Sequence, residues 1–410
     1  MTLEIRLAVE ALRAGVPNRA AIRLMGNEHT GIEEGFDAAL QGAWASGARS
    51  GIGVAGGFGA GKSHLLGYLA EVARMQNFVV SRVVISKETP LANPAHVFNA
   101  AIRDAVLPDR NDDALAAALA TLRTRPAELK LLEDAVSTPS VGFAPLFAAA
   151  LFLLGRSATP ADVVRAIERF FGGVRLPASV LRRALKEAGA ARTFALGAVD
   201  AHDLALQRIA FAPLLFRAAG YAGWCILLDE VELIGRYTPL QRAMSYAWLA
   251  SWLGLEGARP FPGIVALYAV TDDFVTAVIN ARLDSERLPE RLVLKGRQNE
   301  ARWARAGIAH IERTVLQHRL TPPTDADLAA CHDRLRDLYA GAYGWPAPAL
   351  PPLERTSSRT MRHYIKAWVT QWDMARLYGT SARMVEETLA SNYQEDAELA
   401  AGAPPEDEDG

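Results

Sequence analysis

Eight consecutive residues near the amino end of the chain have the spacing of a phosphate-binding loop. Residues 56–63 read GGFGAGKS and fit G-x-x-x-x-G-K-[ST] at every position, after an apolar run and before a helical pattern. Glycines let backbone N–H groups turn inwards around phosphates, lysine reaches the β- and γ-phosphates, and the serine hydroxyl is a Mg²⁺ ligand. The motif predicts an ATP and Mg²⁺ site with these candidate contacts: Gly56, Gly57, Phe58, Gly59, Ala60, Gly61, Lys62, Ser63 and His64 through its backbone N–H.

A second acidic motif follows an apolar run later in the chain. Residues 225–228 read CILL and are followed directly by Asp229 and Glu230. A buried parallel strand delivers its carboxyl end to the sheet edge where a phosphate loop lies. We expect Asp229 to hold Mg²⁺, directly or through water, and Glu230 to polarise the attacking water. An acidic pair after an apolar run is common by itself, but together with the phosphate loop it favours ATP hydrolysis.

Polar residues also follow two other predicted strands. Thr271, with Asp272 as the second choice, ends the strand at 263–270 and is a candidate contact for the γ-phosphate or the attacking water. The alternative role for either residue is to cap the following helix, and both roles can hold at once. Ser86, after the strand that ends at Ile85, is a candidate contact for Glu230; its alternative role is to satisfy a turn.

Hydrolysis needs a cation beyond the loop lysine, and an arginine usually supplies it. Arg359 and Arg362, in a helix predicted at 356–378, are candidates for contact from the same chain. The candidates for contact from a neighbouring subunit are Arg236, Arg242, Arg287 and Arg291. For each of these arginines a solvated salt bridge is the alternative. The basic stretch 282–305, which contains Trp303, suggests either a nucleic-acid contact or a mixed-charge surface, and the second is favoured.

The order strand, glycine loop, helix, strand predicts a βαβ unit and a parallel sheet, hence an α/β P-loop NTPase core. The long Ala/Leu-rich stretch between the two nucleotide motifs predicts a large helical insertion. The predicted organisation is an amino-terminal helical segment near the nucleotide (1–48), a core in two parts (49–106 and 211–296), the insertion (107–210), a helical lid (297–395) and a disordered acidic tail (396–410).

Composition excludes several classes of protein. Half of the residues are hydrophobic, 22% are charged and the net charge is −2, so no overall basic field marks a nucleic-acid-binding protein. The two cysteines, Cys225 and Cys331, have no metal-ligand spacing and no disulfide framework, which fits a reducing compartment. The apolar stretch 143–154 is too short to span a bilayer, and the first residues do not have the pattern of a signal peptide. We therefore expect a cytoplasmic protein without a membrane partner.

Five segments, taken in order, resemble the BrxD-type ATP-binding proteins of BREX bacteriophage-exclusion systems. They are VEALRAGVPNRAAIR at 9–23, GGFGAGKSHLL at 56–66, VVISKETPL at 83–91, ILLDEVELIGRY at 226–237 and YAVTDDF at 268–274. The resemblance implies an AAA+ ATPase of the origin-recognition (ORC) and clamp-loader branch, acting in antiviral defence with other BREX components such as a helicase or a methyltransferase. It also implies that Val16, Asn18 and Arg19 line the adenine pocket. DNA contact and homo-oligomer formation stay open.

The leading hypothesis is an ATP-hydrolysing switch or remodeller in phage defence. Two alternatives belong to other classes: a nucleotide-gated scaffold with little hydrolysis, and an ATP-dependent DNA-binding loader of a partner helicase. Glu230 argues against the scaffold, because such a residue serves hydrolysis. A small-molecule kinase is a more distant alternative, since no acceptor-binding motif accompanies the loop.

Overall fold

A parallel four-stranded sheet forms the centre of the computed structural model, which describes residues 2–14, 21, 24, 30–45, 51–110, 112–138, 142–320, 323–351, 353 and 361–379. The strands are β1 (Ile52–Ala55), β2 (Phe78–Val84), β3 (Gly223–Asp229) and β4 (Ile264–Val270), in the spatial order β1-β4-β3-β2. All three pairings are parallel, so every carboxyl end lies at one edge. The predicted α/β class with a parallel sheet is confirmed.

The inserted strand β4 separates the strand of the glycine loop from the acidic strand. Ala55 is paired with Val270 across β1 and β4, and Leu228 is paired with Tyr268 across β3 and β4. On the outer side of β1, the Ala55 N–H donates to the His318 carbonyl (3.0 Å), and the Leu320 N–H donates to the Ala55 carbonyl (2.7 Å). Residues 318–320 therefore extend the sheet beyond β1 by one short parallel bridge.

Alternate residues of each strand enter two different cores, as the period-2 geometry of a strand requires. Trp224, Ile226 and Leu228 pack on one side of the sheet, while Cys225 and Leu227 pack on the other. Both sides are apolar, which is why β3 appears in the sequence as a continuous apolar run rather than an alternating one. The result is a three-layer arrangement with helices on both faces of the sheet.

The helices account for most of the remaining described chain. Numbered in order, they are α1 Thr2–Ala14, α2 Thr30–Gln41, α3 Lys62–Met75, α4 Pro94–Arg103, α5 Ala114–Arg123, α6 Pro126–Ser137, α7 Pro145–Leu154, α8 Ala161–Phe171, α9 Ala178–Glu187, α10 Ala201–Ala218, α11 Pro239–Trp252, α12 Asp284–Leu294, α13 Gln298–Gln317, α14 Asp325–Tyr343 and α15 Met361–Tyr378. A 3₁₀ turn, Val231–Arg236, follows β3, and a π-helical segment, Val275–Asn280, follows β4. None of the described helices combines the length and the apolarity that crossing a bilayer requires.

The helices between β2 and β3 have an aromatic core of their own. The Phe147 ring lies 5.2 Å from the rings of both Phe170 and Phe211, and Phe171 stacks on Phe211 at 4.6 Å, measured between centroids. Because Phe211 belongs to α10, which also packs against β3, this core is continuous with one face of the sheet. The regular elements described in the stretch predicted as a helical insertion are all helices, joined by loops.

The first helix packs with the last two rather than with the sheet. Arg13 on α1 donates to both carboxylate oxygens of Asp373 on α15 (2.8 and 2.9 Å), and Tyr339 on α14 donates to Asp373 (2.7 Å). Ala8 and Val9 are fully buried in the same cluster. By contrast α2 covers the sheet and α3. The described helices of the amino-terminal segment therefore belong to two different packing units.

A buried ion pair joins α11 to α12 near the sheet edge. Arg242 is bidentate to Asp284 (3.0 Å for each contact), donates to the Tyr237 carbonyl (2.8 Å), and is 4% exposed in its side chain. Tyr246 also donates to Asp284 (2.9 Å). These bonds hold the segment that follows the acidic strand against both helices.

Replacing Asp284 with Asn is expected to lower the free energy of unfolding by about 3 kcal/mol, because it leaves the Arg242 guanidinium buried without a counter-charge. Urea unfolding followed by circular dichroism measures the change. Glu286→Gln, an exposed change in the same helix turn, is the matched control and should shift unfolding by no more than about 0.5 kcal/mol. Equal shifts in the two variants would contradict a stabilising role for the pair.

Candidate functional site

The glycine loop has the backbone conformation that its sequence predicts. Gly59 and Gly61 have φ angles of 80° and 99°, a region that favours glycine. The Gly56 N–H donates to the Val270 carbonyl (3.1 Å), which ties the loop to the end of β4. α3 begins at Lys62 without a side-chain cap, so its first turn presents backbone N–H groups as an anion site.

The Lys62 ammonium group lies folded over this loop. Its Nζ donates to the carbonyls of Gly56 (2.8 Å) and Gly57 (3.1 Å), and the residue is 9% exposed. Phe58 projects outwards at the tip, and His64 is partly exposed in the first turn of α3. A β-carbon on Gly61 would meet nothing within 4 Å, so the space beside the loop is open. The Lys62 ammonium group thus lies beside the loop that would hold a polyphosphate.

Ser63 and Asp229 are brought together from distant parts of the chain. The Ser63 hydroxyl donates to Oδ2 of Asp229 (3.0 Å), and the Glu230 N–H donates to Oδ1 of the same carboxylate (3.0 Å). Arg82, on β2, also contacts Oδ2, with a nitrogen–oxygen distance of 2.6 Å. The geometry therefore joins a hydroxyl, a carboxylate and a guanidinium at the end of the sheet.

Glu230 has an unusual backbone for a non-glycine residue. Its φ and ψ are 57° and 37°, in the left-handed region, and the chain turns there from β3 into the 3₁₀ turn. The residue is exposed at the sheet edge, but its surroundings remove part of the water from its carboxyl, and this desolvation together with the Asp229 charge raises the pKa of that group. Such strained positions cluster at functional sites because the surroundings hold a side chain where it is needed.

Glu232 is a third carboxyl at this edge, and the motif analysis did not single it out. It lies in the 3₁₀ turn, its Oε2 is enclosed without a hydrogen-bond partner, and burial raises its pKa from 4.5 to about 7 despite the attraction of Lys62. The signal available in the sequence was its position two residues after Glu230, in the segment that directly follows the acidic pair. A partly protonated carboxyl therefore accompanies the acidic pair.

Thr271 and Asp272 occupy the end of β4, between the glycine loop and the acidic strand. Thr271 is buried, and its carbonyl accepts the Phe274 N–H (3.3 Å), the start of the turn that follows. Asp272 forms an ion pair with Arg319 (2.6 Å). A β-carbon on Gly57 would lie 3.9 Å from Oδ1 of Asp272, so this carboxylate stands beside the loop. The sequence contained no signal that singled out Arg319.

Two of the other candidates have different partners in the structure. The Ser86 hydroxyl bonds Glu88 (2.8 Å) and Thr89 (3.0 Å), so it satisfies its own turn, the alternative role stated for it. Trp303 packs against Trp248 with a centroid distance of 5.9 Å, and its Nε1 is enclosed. Its ring is therefore half-buried against Trp248 and not fully exposed.

The arginine candidates lie in different environments. Arg242 is buried and bound to Asp284, so it forms a salt bridge, the alternative role stated for it, although the pair is buried and not solvated. Arg287 and Arg291 are exposed on α12, and Arg236 ends the 3₁₀ turn. Arg362 lies in the first turn of α15, and no described contact joins it to the loop or to the acidic strand. Val16, Asn18, Arg19 and Arg359 lie outside the described residues.

The residues present fit a nucleotide with Mg²⁺. In ATPase sites Mg²⁺ is bound by one or two carboxylates together with substrate phosphates, and it retains several waters. A hydroxyl and a carboxylate 3.0 Å apart, beside an uncapped helix start and a buried lysine, supply that set of donors. Ser63 and Asp229 would hold the ion, and the loop would hold the phosphates.

One family model matches both the glycine loop and the acidic strand of this chain. The model for the BREX system ATP-binding protein BrxC/D matches residues 4–123 and 190–374, which is most of the chain. The chain belongs to this family. The resemblance predicted from the five segments is therefore confirmed, and the family description as ATP-binding agrees with a nucleotide at the glycine loop.

The match to the BrxC/D model is interrupted at residues 124–189. This interval contains α6, α7, α8 and α9, and it lies inside the predicted insertion. Every described residue of the candidate site lies in the matched ranges. No curated protein and no solved structure matches the chain.

Replacing Glu232 with Gln is expected to change the pH dependence of stability. A carboxyl with a raised pKa in the folded state holds its proton after the unfolded chain has lost it, so this group reduces stability as pH rises from 4.5 to about 7. Glu232→Gln should therefore stabilise the protein at pH 8, by at most about 3 kcal/mol, and the gain should vanish near pH 4.5.

Urea unfolding at several pH values with EDTA, to exclude metal ions, measures this difference. Glu256→Gln, at an exposed loop position, is the matched control and should show no such trend. If the stability difference between Glu232→Gln and the wild type were the same at every pH, the assignment of a raised pKa to Glu232 would be wrong.

Proposed function

We propose that this chain is a Mg²⁺-dependent ATPase of the AAA+ type that acts as a switch or remodeller in BREX antiviral defence. The observation that carries the proposal is the contact between the Ser63 hydroxyl and Asp229, with Glu230 next to it at the sheet edge. A phosphate loop alone supports nucleotide binding. The loop together with an acidic strand end and an adjacent glutamate supports hydrolysis.

Each residue has a distinct task in this mechanism. Lys62 leaves the carbonyls of its own loop and binds the β- and γ-phosphates, while the N–H groups at the start of α3 surround them. Ser63 and Asp229 would hold Mg²⁺, which neutralises charge on the phosphates. Glu230 orients a water and accepts its proton as the water oxygen attacks the γ-phosphorus. The bond from that phosphorus to the bridging oxygen breaks, and ADP leaves with the bond electrons.

Thr271 and Asp272 are proposed to respond to the γ-phosphate. They end the strand that lies between β1 and β3, and Asp272 stands beside Gly57. When the γ-phosphate binds or leaves, a movement of Asp272 is transmitted through its ion pair with Arg319 to residues 318–320, which pair with β1. The strand inserted between the two nucleotide motifs, together with the carboxyl-terminal helices, supports the AAA+ assignment within the α/β class.

The proposed partners are other BREX components, among them a helicase, and a second copy of the chain. Arg236, Arg287 and Arg291 are the described candidates for completing a neighbouring site, and the last two are exposed on α12. The two cysteines, Cys225 and Cys331, are buried and are not joined in a disulfide, which supports a reducing, cytoplasmic location. Val16, Asn18 and Arg19 remain the proposed adenine contacts, and Arg359 and Arg362 the proposed contacts from the lid.

Two substitutions separate binding from hydrolysis. Lys62→Ala is expected to weaken ATP binding by about 10- to 100-fold, since it removes a charge-assisted contact with phosphate. Glu230→Gln is expected to keep ATP affinity within about threefold of the wild type but to lower kcat by about 100- to 1,000-fold, the range for loss of a general base. Fluorescence titration with an ATP analogue and phosphate-release assays, with and without DNA, measure the two effects.

The controls are Lys130→Ala and Glu187→Gln, at exposed positions in the helices between β2 and β3, and both should behave as the wild type. Unchanged ATP affinity in Lys62→Ala would rule out the glycine loop as the site. If Glu230→Gln turned over ATP at the wild-type rate, the proposed hydrolysis mechanism would fail and the nucleotide-gated scaffold would be favoured.

A further inference from the structure

Arg82 is a charged residue inside the β-branched run of β2, and none of the motifs accounts for it. Its guanidinium reaches across to the neighbouring strand and contacts Oδ2 of Asp229 at 2.6 Å. The Arg82 side chain is 33% exposed and the Asp229 side chain 4%. The backbone of Arg82 is itself fixed, because its N–H donates to Asp104 (2.8 Å). An ion pair is therefore held at the proposed metal ligand.

The hydrogen-bond capacity of Asp229 is largely used by its described partners. Oδ1 accepts the Glu230 N–H (3.0 Å), while Oδ2 accepts both the Ser63 hydroxyl (3.0 Å) and Arg82 (2.6 Å). A carboxylate oxygen has two lone-pair sites, so the two contacts to Oδ2 fill it. A metal ion or a metal-bound water can approach Oδ2 only if one of these two donors moves.

The three donors differ in their freedom to move. The Glu230 N–H is a backbone group at a constrained left-handed turn. The Ser63 hydroxyl can remain, because its oxygen keeps lone pairs for a metal while its O–H still donates to Asp229. Arg82 has a long side chain that is partly exposed, and it is a cation, so it repels an arriving dication. Arg82 is therefore the donor that must give way when a metal ion or its water binds Oδ2.

We propose that Arg82 is a positioning residue that competes with Mg²⁺ for Oδ2 of Asp229. In the absence of metal it holds the carboxylate in place beside Ser63 and balances its buried charge. When Mg²⁺ arrives with ATP, the guanidinium leaves Oδ2, and the metal concentration needed for tight nucleotide binding is set by this exchange. The inference rests on the proposed function, because it assumes that Asp229 is a ligand of the metal.

The test is the Mg²⁺ dependence of nucleotide binding, measured by titrating MgCl₂ at a fixed concentration of a fluorescent ATP analogue. Arg82→Gln is expected to lower the Mg²⁺ concentration for half-maximal binding by about three- to tenfold, an effect of roughly 0.7–1.4 kcal/mol. The affinity for the analogue at saturating Mg²⁺ should stay within about twofold of the wild type. A merely structural role for Arg82 would weaken binding at every Mg²⁺ concentration and would not shift the half-maximal point downwards.

The controls make failure of the inference distinct from failure of the proposed function. Arg183→Gln, an exposed change on α9, should leave the Mg²⁺ dependence unchanged. Lys62→Ala should weaken binding at every Mg²⁺ concentration; if it does not, the proposed function fails. If Lys62→Ala weakens binding but Arg82→Gln needs as much Mg²⁺ as the wild type, or more, only the role of Arg82 is overturned.

Circular dichroism would reveal whether Arg82→Gln fails to fold, and in that case a second variant, Arg82→Lys, tests the proposal. Arg82→Lys keeps the charge on a shorter side chain with a weaker hold on Oδ2. It should shift the half-maximal Mg²⁺ concentration in the same direction by a smaller factor. An unchanged or raised Mg²⁺ requirement in a folded Arg82→Lys protein would overturn the proposal.

Discussion

The hydrogen bond between Ser63 and Asp229 depends on the alignment of three strands, and the candidate site depends on that bond. The two residues belong to segments separated by 166 positions, and their strands are not neighbours, since β4 lies between them. Strands two places apart are separated by about 9–10 Å, so side chains must bridge the gap. The start of α3 brings the serine hydroxyl over β4, and the end of β3 brings the carboxylate to meet it. A shift in register at either pairing would separate them.

Charge is concentrated at the same edge. Asp229, Glu230 and Glu232 lie within four residues, and the cations that influence them include Lys62 and Arg82. The consequence is visible in the pKa values, which are raised for Glu230 and Glu232 by burial and by neighbouring negative charge. The carboxylates at this edge attract the dication that arrives with ATP, provided that the guanidinium at Asp229 moves away.

Local sequence patterns were sufficient for the elements that form the site. The glycine loop, the helix that follows it and the apolar run of β3 were all predicted, because each follows from backbone geometry or from burial on both faces of a strand. The partner of Arg82 was not predictable, since periodicity identifies the face of a strand but not the residue across it. For the same reason the packing of α1 with α14 and α15 was missed. The left-handed backbone of Glu230 was also not predictable, because glutamate has no preference for that conformation.

The position of the helices between β2 and β3 has a consequence for the site. Adjacent parallel strands can be joined by a crossover of a dozen or more residues, yet this crossover contains α4 to α10 and is longer than a single helix requires. It leaves the sheet at the carboxyl end of β2, beside the acidic strand, where the Ile85 N–H donates to the Asp229 carbonyl (3.0 Å). The Tyr237 hydroxyl, just beyond the 3₁₀ turn, donates to the Ser86 carbonyl (3.1 Å). The start of the crossover is thus hydrogen-bonded to one residue before Glu230 and to one residue after it. A displacement of the crossover helices that moves residues 85–86 must therefore also move the turn that contains Glu230.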